Sequence, residues 1–173
     1  MPRICIKSIK ENNWSYYDNV LNYVAKKDKC AEPMIGACNV YMPINRKEIV
    51  PVIRMQFNEV KHFYEQENHR LGIHFEINFS PEELRYLDRK KILEIGYWIS
   101  ETQFKNHMTY FAVHDHSECL HLDMLINTVN ILTGNMYGCG NAGWNAVANE
   151  IHEHLKLYVP DETIISRQIT FPK

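Results

Sequence analysis

Between Val113 and Asp123 the chain reads Val-His-Asp-His-Ser-Glu-Cys-Leu-His-Leu-Asp, and this stretch limits the fold more than any other. Potential ligands alternate with other residues on both sides of a short polar break. Alternation with a period of two is the signature of a strand, whose successive side chains point to opposite faces. Residues 109–116 and 121–130 therefore read as two strands of a hairpin. If residues 117–120 form the loop, His116 lies opposite His121 and His114 opposite Asp123. Directly opposed residues share a sheet face, so three imidazoles and a carboxylate crowd one patch. Val113, Leu122, Met124 and Ile126 fall on the other face, where a core would lie.

The remaining chain supplies partners for that hairpin. Residues 3–9 read as a strand, and residues 73–79 as another with His74, Glu76 and Asn78 on one face and Phe75, Ile77 and Phe79 on the other. Tyr17, Val20, Leu21 and Val24 have the i, i+3, i+4, i+7 spacing of a buried helical stripe, with Ser15 as the expected cap. Pro51 suits the first position of a second helix running toward Gln66, with Ile53, Phe57, Val60 and Tyr64 inward. Ser80-Pro81-Glu82-Glu83 reads as the start of a third helix reaching about Phe104, and residues 144–157 as a fourth. Residues 30–45 read as loop with a short extended piece. Interleaved strands and helices with at least one hairpin predict an α/β (α+β) fold, a central, largely antiparallel sheet with helices packed on it.

Size and composition agree with one domain over residues 1–173, for which 173 residues provide a sizeable core. With 45% hydrophobic and 23% charged residues, the composition is that of a globular chain rather than a disordered one. No apolar run approaches the roughly 20 residues of a membrane span. The five cysteines lack CxxC spacing, which favours reduced thiols and a cytoplasmic location over a disulfide framework or a zinc knuckle. A net charge of −2 argues against a non-specific nucleic-acid binder, although Lys26, Lys27 and Lys29 form a local basic cluster.

Imidazoles and a carboxylate gathered on one face suit a divalent cation: Mg²⁺ or Mn²⁺ with water and phosphate oxygens, or Zn²⁺. His74 and Glu76 join the patch if their strand neighbours the hairpin. His152 and His154, two apart on a helix, read as surface residues, as do His62, His69 and His107. Tyr23 sits roughly 110° from the centre of its helix's buried stripe, so the core does not need it.

Three segments together resemble the plasmid-mobilisation relaxases of the HUH endonuclease superfamily. They are Ile6–Lys10 followed by Val20–Val24 and Lys26–Lys29; the strand His74-Phe75-Glu76-Ile77-Asn78-Phe79; and His114 through Asn127. The resemblance implies a strand-specific DNA endonuclease and strand transferase, with Tyr23 as nucleophile and His114, His121 and Asp123 as metal ligands. A histidine is usual in the family where Asp123 stands, and an acid where His116 stands, so His116 is an alternative third ligand. His116 and Glu76 are the candidate general bases. Lys26, Lys27 and Asn127 are candidate DNA contacts, and Tyr16 or Trp14 candidate stacking platforms. Implied partners are single-stranded DNA at a transfer origin and accessory mobilisation proteins. Further domains beyond residue 173 are usual in such proteins. A rolling-circle replication initiator shares the chemistry, but there the metal motif usually precedes the tyrosine. A non-catalytic DNA-binding accessory protein and an unrelated metallohydrolase are the other readings.

Overall fold

The computed structural model describes residues 3–26, 34–115, 120–164 and 168–170. In chain order these form β1 (Arg3–Ile9), α1 (Trp14–Val24), β2 (Ile35–Cys38), α2 (Arg46–Phe63), β3 (Gly72–Asn78), a 3₁₀ turn (Glu83–Arg85), α3 (Arg89–Thr102), β4 (His107–His114), β5 (His121–Asn130), α4 (Asn141–Leu155) and β6 (Gln168–Thr170). The strands make a single sheet in the order β2-β4-β5-β3-β1-β6, antiparallel except for the β1–β6 pair. The expected α/β fold with a largely antiparallel sheet is what the chain forms.

Helices cover both sheet faces. Against one face α3 and α4 pack over Phe75, Ile77, Phe111, Val113, Leu122 and Met124. Against the other, the Tyr17-Val20-Leu21-Val24 stripe of α1 and Ile49, Ile53 and Phe57 of α2 pack over Ile9, Tyr110, Ala112 and Leu125. Double coverage explains why β5 is buried at every position from His121 to Val129, polar residues included. The polar patch thus lies on the α1/α2 face, beneath the C-terminal end of α1.

The hairpin register differs from the expected one. His114 faces His121, and Ala112 faces Asp123. The shift amounts to two residues, and the side-chain period is two, so the ligand set stays on its face. Asp115, one residue beyond β4, turns the other way and ion-pairs with Arg89.

Helix boundaries moved for reasons of capping. Asn13, not Ser15, caps α1, its side chain accepting from the Tyr16 N–H at 3.3 Å. Asn45 caps α2 by accepting from the Lys47 N–H at 3.1 Å, so the helix begins at Arg46 and carries Pro51 inside it. Pro51 is exposed and forfeits a single backbone bond there. Its buried stripe is Ile49, Ile53, Phe57 and Lys61, one turn earlier than expected. The Ser80–Glu83 capping box does form, with Ser80 N donating to Glu83 Oε2 at 2.8 Å and Glu83 N to Ser80 Oγ at 3.2 Å. It starts only a 3₁₀ turn; Asp88 then caps α3 by accepting from Lys91 N at 2.8 Å. The short strands β2 and β6 extend the sheet at its two edges.

Two histidines assigned to the surface are not free there. His107 is buried, with Nδ1 3.1 Å from the Asn127 carbonyl, and burial lowers its pKa. His154 stacks on Trp98 with ring centroids 3.8 Å apart. Among the described residues no helix is long and apolar enough to cross a membrane. Cys5, Cys38 and Cys139 are free thiols, while Cys30 and Cys119 lie outside the described residues.

Candidate active site

His114 closes β4 and His121 opens β5, so pairing of the two strands sets their rings side by side, perpendicular and 5.2 Å apart. Asp123 lies one pleat further in, opposite the small side chain of Ala112. Its Oδ2 is 2.9 Å from His114 Nδ1 and 3.0 Å from His121 Nε2. All three side chains are buried, Asp123 completely. Burial pushes the Asp123 carboxyl upward, but the contacts from His114, His121 and His74 outweigh it and hold the group well below the usual carboxylate range.

The other nitrogen of His114 decides its tautomer. Nε2 lies 3.2 Å from the Val24 carbonyl at the end of α1, an acceptor only, so Nε2 carries the proton. Its Nδ1 is then turned to the buried Asp123 carboxylate. An imidazole anchored to a backbone carbonyl through its outer nitrogen, with the inner nitrogen turned to a pocket of other ligand types, is the usual arrangement around a protein-bound cation. The residues present therefore fit a divalent ion, and His114, His121 and Asp123 lie within 4.8 Å of one another as its ligand atoms.

Strand β3 runs beside β5 and adds a second set of groups to the same face. Glu76 pairs with Asp123, and His74 with Leu125. His74 Nε2 reaches Asp123 Oδ1 at 3.0 Å, while its Nδ1 is 2.8 Å from the Tyr16 hydroxyl. Asn78 Nδ2 donates to Glu76 Oε1 at 2.5 Å. On β1, Lys7 pairs with His74 and holds its ammonium 3.5 Å above the Tyr16 ring.

Helix α1 lies over this patch. Its buried stripe fixes the rotation, which brings Tyr23 to the rim of the His114–His121 pair. The Tyr23 hydroxyl is 3.4 Å from His121 Nε2, and its ring meets the His114 ring edge-on at 4.7 Å. Burial, then the negative charges of Asp123 and Glu76, push the Tyr23 phenol up to about 12. Arg54 of α2 ion-pairs with Asp18 at 2.5 Å and ties α1 to its neighbour.

Tyr23, Glu76, His114, His121 and Asp123, singled out from the sequence, thus come together on one face. Lys26 is exposed just beyond α1. Lys27 and His116 lie outside the described residues. Asn127 is a correction: it is fully buried, its Nδ2 donating to Phe57 O at 3.0 Å and its Oδ1 accepting from Val129 N at 3.1 Å. The first bond fastens α2 to β5 and the second stays within β5, so the buried amide is not open to a phosphate. Tyr16 and His74 are linked in a way that single-strand periodicity does not reveal. The available signal was the spacing of Tyr16 and Tyr23, seven residues or two helical turns apart and hence on similar sides of α1.

A largely antiparallel sheet thus gathers imidazoles and carboxylates on one face, with a tyrosine of the overlying helix at their rim. The chain belongs to the family described as relaxase, MobA/VirD2-like, nuclease domain, whose profile matches residues 23–157. That match runs from Tyr23 through α4 and takes in every member of the patch except Lys7 and Tyr16. No individually curated protein matches the chain.

Proposed function

We infer that this protein is a conjugative or mobilisation relaxase, cutting one DNA strand at a transfer origin through a 5′-phosphotyrosine intermediate. One observation carries the reading: the Tyr23 hydroxyl stands 3.4 Å from His121 Nε2, over a buried cluster suited to a cation. In this account His114, His121 and Asp123 hold a divalent ion, Mn²⁺ or Mg²⁺ by preference, with Zn²⁺ also compatible with the donor set. Bound there, the ion supplies positive charge that polarises a non-bridging phosphate oxygen and offsets the carboxylates that raise the Tyr23 phenol.

The chain's own residues do the rest. Tyr23 oxygen attacks the phosphorus in line, the bond to the 3′-oxygen breaks, and the departing strand leaves with a 3′-hydroxyl. The 5′-phosphate remains on the tyrosine, so phosphodiester energy is conserved and the step can run backwards to join ends. A phenol near 12 needs an acceptor for its proton. Glu76, on the same sheet face, is one candidate, and His116 the other. Lys26 and Lys27 follow α1 and are suited to the strand's backbone, and Trp14, 43% exposed, to stacking on a base. A protein of this kind works in the cytoplasm, alongside accessory mobilisation proteins at the origin.

The test is incubation with a labelled single-stranded oligonucleotide library and Mn²⁺ or Mg²⁺. A relaxase gives a covalent protein–DNA adduct that Tyr23→Phe abolishes. Free 5′-phosphate ends, formed equally by Tyr23→Phe, would instead mean a hydrolase. A mobility shift without cleavage would mean a binding module.

A further inference from the structure

Asp123 differs from an imidazole in one respect that matters here: it has two ligand atoms facing different directions. Oδ2 faces His114 Nδ1 and His121 Nε2, at 2.9 and 3.0 Å. Oδ1 faces His74 Nε2, at 3.0 Å. Behind His74 stands Glu76, and the ligand atoms of His74, Glu76 and Asp123 also lie within 4.8 Å of one another. Two potential three-ligand groups therefore share a single carboxylate. An imidazole at position 123 has one inward nitrogen and serves one of them only.

We propose that Asp123 bridges two divalent-cation sites, the second made by His74, Glu76 and Asp123 Oδ1. Three observations support it. The first is charge. Glu76 and Asp123 are paired neighbours across β3 and β5, and neither has an ion pair with a lysine or arginine among the described residues. Two such carboxylates on a largely buried face repel unless a cation lies between or beside them. The second is the environment of His74. Its Nδ1 lies 2.8 Å from the Tyr16 hydroxyl, the outer hydrogen bond that fixes the ring of a ligating histidine and leaves Nε2 for the ion. The third is access. His74 retains 15% of its side-chain exposure while Asp123 has none, so the second group sits at the open side of the patch, where water can complete a coordination shell. The donors, one nitrogen and two carboxylates, favour Mn²⁺ or Mg²⁺ over soft metals.

The proposal rests on the reading of His114, His121 and Asp123 as a metal site, and the measurement separates the two. The full chain is stripped of metal, then titrated with Mn²⁺ by calorimetry and by electron paramagnetic resonance, with folding of each variant checked by circular dichroism. The expected result is two Mn²⁺ per wild-type chain with a spin-coupled signal. Glu76→Gln, a change of charge but not of shape at a half-buried position, should leave one uncoupled Mn²⁺, as should His74→Ala. One Mn²⁺ in the wild type, lost in His114→Ala, would overturn the second site and leave the first standing. In that case a weaker but still single site in His74→Ala would make His74 a positioning residue for Asp123. Two Mn²⁺ persisting in both Glu76→Gln and His74→Ala would also overturn the proposal, and no Mn²⁺ in the wild type would overturn both sites. The wild-type count and spin coupling need no variant, so a variant that misfolds does not remove the test.

Discussion

Lys61 is the most unusual single residue outside the site. It lies on the inward stripe of α2, almost fully buried, with Nζ donating to Arg70 O at 2.7 Å and Thr128 Oγ1 at 3.2 Å. Burial, helped by the nearby Arg70 charge, lowers its pKa to about 8. Because the folded value lies below the unfolded one, the unfolded chain binds more protons between about pH 8 and 10.5. Stability contributed by this residue therefore rises with pH across that window, and below pH 8 the full penalty applies. Thr128 Oγ1 donates to Arg70 O at 2.8 Å, so that carbonyl keeps a donor if Lys61 is replaced. Lys61→Met should gain on the wild type at pH 7, and the wild type should recover on the order of 3 kcal/mol relative to it by pH 10.5. Urea titrations of both proteins at several pH values would reveal this; a pH-independent difference would show that folding leaves the Lys61 pKa unshifted. At Tyr23 the expectation is a small effect on stability: its hydroxyl lies at the long distance of 3.4 Å from His121 Nε2. Tyr23→Phe should leave the thermal midpoint within about 2 °C of the wild type, since a weak polar contact contributes little, while abolishing the DNA adduct.

Elements show what the sequence could and could not reveal. The stripe of α1 stood out because it buries one side, and the period-two runs at β3 and at the adjoining ends of β4 and β5 because one sheet face there is apolar and the other carries polar side chains. The ligand face survived a two-residue error in register for the same reason. Helix starts did not stand out, because Ser15 near Asn13 and Ser80 before Asp88 can cap as well, and Pro51 suits a first helical position although Asn45 starts that helix. Nor could the sequence place β3 beside β5, since the two strands are separated by α3 and β4 and their pairing is decided by tertiary packing. That pairing is what brings His74 and Glu76 to Asp123. His107 and Asn127 misled because an isolated polar residue on a doubly covered sheet has no sequence mark of its burial. Two element-scale outcomes follow. Asp88→Ala should cost about 1 kcal/mol in chemical unfolding by uncapping α3. A Cβ at Gly36 of β2 would lie 2.3 Å from the Phe111 ring, and one at Gly96 of α3 2.7 Å from it. Phe111 is fully buried between them, so Gly36→Ala should destabilise by roughly 1–3 kcal/mol. An unchanged unfolding midpoint would mean the ring has room to move.

At the scale of the molecule, the sheet separates two tasks. The face under α3 and α4 is a largely apolar core, with the buried Thr109–Ser100 hydrogen bond inside it, and it secures the strands. The opposite face is apolar under α1 and α2 but gives way, at the ends of β4 and β5, to buried imidazoles and carboxylates. Those groups cost stability unless charge is compensated, and a chain keeps them where chemistry needs them. Helix α1 connects the tasks: its inward stripe locks it to the sheet, and the same rotation delivers Tyr23 to the cluster. The account therefore stands or falls on a bond between that oxygen and DNA. After reaction with a single-stranded substrate and Mn²⁺, the protein would be digested with trypsin and nuclease and its peptides mapped by mass spectrometry. The account predicts a residual nucleotide phosphate on Tyr23. A covalent nucleotide on any other residue, or cleaved DNA with an unmodified Tyr23 peptide throughout the reaction, would contradict it.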